Sequence, residues 1–291
     1  MFKHKPVLLN EVLRIFSKLK EGSLIVDCTL GGGGHSKELL KQGFRVIGVD
    51  RDPEAIKAAE ENLRSFEEIV FVNDNFVNLR QVLDRLGVEI VSGILMDLGV
   101  STYQLEEEER GFGFEGSLDM RMDKRQELTA ESIVNEYSEQ ELRRILFDYG
   151  EKAFAGSIAR RIIEYRAEKR IEGARELLEI IRRSMPARYR YTREHHWATP
   201  TFRALRIEVN RDIDNLRTFL NLFPNCLSRG GILTVISFHS IEDRIVKHKF
   251  RELTKEGKVE LLNKKPIAAS EEEIKENPKS KQAKLRAIRK L

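Results

Sequence analysis

Residues 26–36 read VDCTLGGGGHS: an acid at Asp27, four consecutive glycines, then His35 and Ser36. A backbone stripped of side chains lets a ligand approach closely. Three ligands suit such a loop: a nucleotide phosphate, a dinucleotide, or a nucleoside without phosphate. A phosphate loop of the GxxxxGK[ST] type needs its lysine to neutralise phosphate charge. Here the glycines run into His35-Ser36-Lys37, so the lysine is misplaced. A GxGxxG dinucleotide fingerprint uses its third glycine to pack helix on strand; counted from Gly31, that position is Ser36. Against a DxGxGxG nucleoside pattern, Asp27 is the acid, Gly31 and Gly33 fit, and Thr29 replaces the first glycine. An acid at this point can accept from a ligand ammonium and would repel a phosphate.

Three further acids follow apolar runs. Asp50 closes FRVIGVD, where a carboxylate can bond both ribose hydroxyls, a feature shared with NAD-binding folds. Asp74 and Asn75 close IVFVNDNF, and Phe76 beside them can flank an adenine, although ordinary core packing also accounts for that ring. Asp97 closes VSGILMDLGVS, next to the expected reactive end of a cofactor. Acids at the ends of four successive strands (Asp27, Asp50, Asp74, Asp97) favour a nucleoside site.

The elements that must carry these residues alternate. SLIVDCT, FRVIGVD, IVFVNDNF and VSGILMDLGVS are strand-like, and HSKELLKQG, PEAIKAAEENLRSF and FVNLRQVLDRLG are helix-like. Such alternation predicts a parallel, doubly wound sheet whose ligand sites lie at the carboxyl ends of the strands. After Ser101 the alternation stops for about a hundred residues. GFGFEGSLDMRMD (111–123) is irregular, SEQELRRILFDYG carries a capping box at Ser138 and Glu141, and two more helices precede Pro186. A long amphipathic helix is expected around Arg203 to Leu222, and ILTVISF (232–238) is a fifth strand. VELLNKKPI and KLRAIRKL suit an antiparallel edge pair, with a polar loop at Lys275 to Lys281 between them. The outcome is an α/β domain split by a helical insertion.

The 291-residue chain is 41% hydrophobic and 34% charged, and no apolar run approaches the roughly 20 residues of a membrane span. Its start, MFKHKPVLLNEVLRIF, has charges spread through it and is unlike a signal peptide. Cys28 and Cys226 are far apart and in no metal spacing, which fits a reducing, cytoplasmic setting and predicts no metal site. The net charge of +4 is unremarkable, but its distribution is not. Residues 106–151 hold 14 acidic and 6 basic side chains, and residues 152–205 hold 6 acidic and 13 basic.

HKPVLLNEVL, DCTLGGGGHS, GVDRDPEAI, DLGVSTYQLEEEERGFGF, LDMRMD, YGEKAFAGSIARRI, TFRALRIEVN and ISFHSIEDRIVK together resemble the RsmH, or MraW, family. The resemblance runs nearly end to end. It implies a Rossmann-like class I methyltransferase sheet, mostly parallel with an antiparallel edge strand, formed by residues 1–105 and 200–291. Residues 106–199 are then an inserted small helical domain for RNA recognition. It implies transfer of a methyl group from S-adenosyl-L-methionine to the N4 amino group of a cytidine in the decoding region of small-subunit (16S) ribosomal RNA. The substrate is the free rRNA or the assembled small ribosomal subunit, and a homodimer is left open. The cofactor contacts it implies, beside Asp27 from the loop pattern, are Gly33, Gly34, His35, Asp50, Phe76, Asp97 and Gln104.

Methyl transfer is an in-line displacement, so the site must hold the acceptor near attack distance. An acceptor for the N4 hydrogens would localise the nitrogen lone pair and take a proton. The catalytic candidates are Asp97, after the fourth strand, and His239, after the fifth, though His239 also suits a structural role. Opened or single-stranded RNA is expected, because N4 is otherwise inside a helix. Arg160, Arg161 and the segment 188–197, with Tyr189, Tyr191, His195, His196 and Trp197, are candidate RNA contacts; Glu106 to Glu109 read as a solvated face. An NAD-dependent oxidoreductase and an assembly factor with a vestigial cofactor site are the competing functions, separable by cofactor calorimetry and by turnover.

Overall fold

A computed structural model describes residues 6–101, 104, 105, 107–191 and 196–291; the Tyr191 side chain, Glu106 and His195 lie outside the described residues. The chain forms two compact units, Met1–Gly99 with Asp214–Leu291, and Val100–Ile213. Among the described residues no helix is long and apolar enough to cross a membrane.

The first unit begins with α1 (Leu9–Phe16), β1 (Leu24–Asp27), α2 (Gly34–Lys41), β2 (Arg45–Asp50), α3 (Pro53–Leu63), β3 (Ile69–Asn73), α4 (Leu79–Arg85) and β4 (Val91–Asp97). The strands read as apolar runs because both faces of the sheet are covered. Alternate residues serve opposite cores: Val26, Ile47, Val49, Ile94 and Met96 face one, and Ile25, Val46 and Leu95 the other. Leu79, Val82 and Leu83 of α4 seal the first face, while Val12, Ile15 and Phe16 of α1 and Leu39 of α2 seal the second. Pro53 starts α3 and Asp52 caps it, accepting from the Glu54 N–H at 3.0 Å.

The second unit is helical: α5 (Ala130–Glu136), α6 (Glu139–Tyr149), α7 (Ala155–Glu168), α8 (Ala174–Arg183), α9 (Ala187–Tyr191) and α10 (Thr199–Asn210). Ser138 and Glu141 form the expected capping box of α6. Ile145, Ile158, Leu177 and Leu205 meet in one core. The LDMRMD segment is held to that core by Asn210, whose side chain accepts from the Met122 N–H at 2.9 Å and donates to the Met120 carbonyl at 2.7 Å. Arg110 adds donors to the carbonyls of Arg121 and Met122, and these ties hold Met120 at φ 60.

The long helix expected over Arg203–Leu222 is two helices, α10 and α11 (Asp212–Leu222). Arg211, left-handed at φ 49, ends the first, because Asn210 is committed to the LDMRMD loop. Returning to the first unit, the chain forms β5 (Leu227–Ser237), α12 (Ser240–Lys255), β6 (Val259–Leu261), β7 (Ile267–Ala268), α13 (Glu271–Glu276) and β8 (Lys284–Lys290). The sheet order is β3-β2-β1-β4-β5-β8-β6, parallel from β3 to β5, with β7 also on β8. The expected antiparallel pair forms, Glu260 opposite Arg289, and its inner member β8 joins β5. β8 tolerates this interior place because Leu285 and Ala287 enter one core and Ile288 the other. The polar loop expected at Lys275–Lys281 is instead the last residues of α13, a helix whose start Ser270 caps, and a 3-10 turn.

Candidate functional site

β1 and β2 pair in parallel with Asp27 opposite Gly48, and β4 pairs β5 with Asp97 opposite Ile236. Right-handed crossovers then put Asp27, Asp50 and Asp97 at one edge of the sheet. The glycine run is held there by side chains, not by itself. Buried Asp27 accepts from Ser36 Oγ at 2.7 Å and from the Thr29 N–H at 3.3 Å. Thr29 in turn accepts from the Asp97 N–H at 2.6 Å through Oγ1, tying the loop to β4. Replacing the pattern's first glycine by threonine therefore adds a strut that the sequence pattern does not reveal.

Asp50 accepts from the Gly31 N–H at 2.8 Å and the Asp52 N–H at 2.9 Å, one on each oxygen. A carboxylate has about four lone-pair sites, so capacity for ribose hydroxyls remains. Gly31, at φ 51, has open space where a Cβ would stand, and Gly32 meets only Asn62 Nδ2 at 3.5 Å. Gly33 and Gly34 are glycine for a different reason. A Cβ on Gly33 would stand 2.6 Å from Leu63 Cδ1, and one on Gly34 2.7 Å from Pro6 Cγ. The first two glycines leave a cradle open; the last two let α2 start against α3 and the Pro6 segment.

His35 is buried with Nε2 2.9 Å from the Val7 carbonyl oxygen and Nδ1 3.8 Å from Asp97 Oδ2. Asp97 Oδ1 is buried with no hydrogen-bond partner among the described residues. Phe76 lies in the sheet core, edge-on to Phe219 with centroids 5.7 Å apart. Gln104 belongs to the second unit, where it is buried and its Oε1 accepts from the Ser101 N–H at 3.0 Å. His239 is the N-cap of α12: its Nδ1 lies 3.4 Å from the Glu242 N–H, and its Nε2 is 2.8 Å from Glu242 Oε1 but out of line for a hydrogen bond.

The electrostatics separate the four strand-end acids. Burial raises the Asp27 carboxyl from its ordinary 3.8 to about 6, against the bonds from Ser36 and Thr29, with Asp50 adding repulsion. Burial likewise raises Asp50, and it pushes Asp97 well above the carboxylate range with help from Asp27 and Glu242. Asp74 differs: burial pushes it up, but bonds from Asn78, the Asn75 N–H and Arg85 outweigh this and hold it low. Asp27 repels both Asp50 and Asp97, Arg51 offsets part of the charge on Asp50, and Arg85 pairs with Asp74. An orphaned carboxylate oxygen, an open glycine cradle and surplus negative potential fit a nucleoside that carries positive charge. They disfavour a pyrophosphate.

In the second unit, three of the aromatic rings expected to meet RNA, those of Tyr189, His196 and Trp197, are packed against other rings. Tyr189 stacks edge-on to Phe154 at 4.6 Å and donates to Glu151 at 2.9 Å. His196 lies between Phe114 and Trp197, at 4.3 and 4.6 Å. Among the described residues no cluster of His, Cys, Asp or Glu is arranged to hold a metal ion.

The sequence profile of the MraW methylase family matches residues 1–291. A protein of Clostridium botulinum (strain Kyoto / Type A2), named ribosomal RNA small subunit methyltransferase H, is 46% identical over 310 residues, covering 100% of this chain and 99% of that one. One of the same name from Sulfurihydrogenibium sp. (strain YO3AOP1) is 49% identical over 296 residues, covering all of both chains. Among solved structures, N-methyltransferase NodS from Bradyrhizobium japonicum WM9 with S-adenosyl-L-homocysteine aligns at TM-score 0.46 and 9% identity, covering 97% of this chain and 85% of that one.

Proposed function

Because the chain belongs to the MraW methylase family, we propose that it methylates the N4 amino group of a cytidine in small-subunit (16S) ribosomal RNA, in the decoding region. The methyl donor is S-adenosyl-L-methionine, which supplies an electrophilic methyl on a sulfonium centre when bound. The reading is carried by one observation: Asp27 and Asp50 accept from the loop backbone and Asp97 is tied to it through Thr29, which gathers three carboxylates beside the open backbone of Gly31 and Gly32. That grouping suits a ligand with a cationic ammonium and sulfonium, and it counts against NAD, whose pyrophosphate it would repel.

On this reading Asp50 holds the ribose hydroxyls, and the backbone at Gly31 and Gly32 receives the nucleoside. Gly33, Gly34 and His35 begin α2 behind it, and Phe76 supports the adenine. Asp97 takes the hydrogen bond of the attacking amine and then its proton, through Oδ1, which has no hydrogen-bond partner among the described residues. His239 contributes by fixing the start of α12 after β5. The helical unit recognises the RNA, and the working compartment is the cytoplasm.

The test is incubation with methyl-labelled cofactor and either assembled small subunits or naked rRNA, followed by mapping of the labelled nucleotide. Label on a cytidine N4 supports the reading; no RNA label with either substrate defeats it.

A further inference from the structure

Many arginines of the helical unit are already committed to a carboxylate, and two exposed ones are not. Arg121, Arg125, Arg144, Arg170, Arg175, Arg182 and Arg183 are each paired with a carboxylate of the same unit. Arg143 forms no ion pair among the described residues, and Arg160, with its side chain 71% exposed, reaches Glu139 only at 4.0 Å. These two lie along one seam. Glu139, Arg143 and Phe147 recur at four-residue spacing on α6, so they share one face. Arg143 Nε stands 3.9 Å from where a Cβ on Gly156 would be, in the first turn of α7, and Arg160 follows one turn later. At the other end of the seam Phe147 is 46% exposed, with the Lys152 ammonium 4.1 Å from its ring centroid.

An exposed aromatic ring beside three cations in a row has the chemistry of a single-strand nucleic-acid track. A ring accepts the face of any base, and cations spaced along a helix seam meet successive phosphates. We propose that Arg143, Phe147, Lys152 and Arg160 form a docking track for a single-stranded segment of the RNA substrate. The inference rests on the rRNA methyltransferase reading above. It moves RNA contact away from Tyr189 and His196, whose rings are already packed against Phe154, Phe114 and Trp197.

The test compares RNA binding by the full chain and three variants, using a fluorescent single-stranded fragment of 16S rRNA over a salt series. Replacing Arg143, Lys152 and Arg160 together by glutamine is expected to lower the slope of log Kd against log salt by about 2. Phe147→Ala is expected to weaken binding roughly tenfold. The control, Arg182→Gln with Arg183→Gln, removes cations already paired with Glu179 and leaves both unchanged. Thermal melts and S-adenosyl-L-homocysteine affinity confirm that the variants fold and keep the cofactor site. Unchanged slope and affinity in the triple variant overturn the track. So does a Phe147→Ala change that appears only as an altered oligomeric state by sedimentation. If the unaltered protein methylates no RNA, the functional reading itself has failed, whatever the variants do.

Discussion

His35 bridges the backbone of Val7 and the carboxylate of Asp97. Its Nε2 lies 2.9 Å from the Val7 carbonyl oxygen, which can only accept, so Nε2 carries the hydrogen and Nδ1 faces Asp97 Oδ2 at 3.8 Å. Asp97 therefore faces a ring nitrogen on one oxygen and, among the described residues, has no hydrogen-bond partner on the other, with Asp27 and Glu242 adding negative potential. A proton acceptor must be ionised to work, and burial lifts this carboxyl well above its ordinary range. Single-turnover methylation is expected to fall on the acid side at a pH well above that of a free aspartate. Asp97→Asn is expected to lose at least about 100-fold in rate at saturating S-adenosyl-L-methionine. An unchanged rate removes Asp97 from the chemistry.

Asp27 gives a stability prediction. Its carboxyl binds a proton more tightly folded, about 6, than at its ordinary 3.8. The stability this contributes is complete below the lower value and lost as pH rises through the upper one. Asp27→Asn carries no such charge. In urea unfolding of the cofactor-free protein, the unaltered chain is expected to lose up to about 3 kcal/mol relative to Asp27→Asn between about pH 4 and pH 7. A pH-independent difference contradicts the assignment.

The four glycines are expected to behave as two pairs. Gly34→Ala drives a methyl into Pro6, and Gly33→Ala into Leu63 from a left-handed backbone at φ 80, so each lowers the melting temperature, by about 1–3 kcal/mol in stability. Gly32→Ala meets only ordinary contact and keeps the melting temperature, but reduces cofactor affinity in calorimetry. Equal melting temperatures for Gly32→Ala and Gly34→Ala would show that the packing account is wrong.

His239 is expected to act through the helix it caps. His239→Ala loses the contact to the Glu242 N–H and about 1 kcal/mol of stability, whereas His239→Asn restores a capping side chain and most of that loss. Should His239→Asn melt normally yet abolish single-turnover methylation, the ring itself takes part in the reaction.

Asp50→Ala is expected to weaken S-adenosyl-L-homocysteine more than tenfold, since it removes both the ribose acceptor and the anchor of the Gly31 N–H. NADH is expected to give no heat with the unaltered protein, because the carboxylates at the strand ends repel its pyrophosphate.

The sequence by itself determined the sheet and its ligand edge. Apolar runs such as VIGVD and ILMD alternate with helical spacing, and that periodicity dictates a parallel sheet covered on both faces, with Asp27, Asp50 and Asp97 at strand ends. Side-chain partners across the chain carry no such local signal. Only the tertiary structure decided that Arg85 neutralises Asp74, that Thr29 braces β4, and that Gly33 and Gly34 serve packing while Gly31 stays open. The same holds for Phe147: its spacing on α6 gives no sign of exposure, whereas Tyr189 and His196, conspicuous among arginines, are covered by aromatic neighbours distant in sequence. Backbone periodicity is a local property and legible along the chain; which charge is neutralised and which ring is covered depends on contacts between residues that only folding brings together.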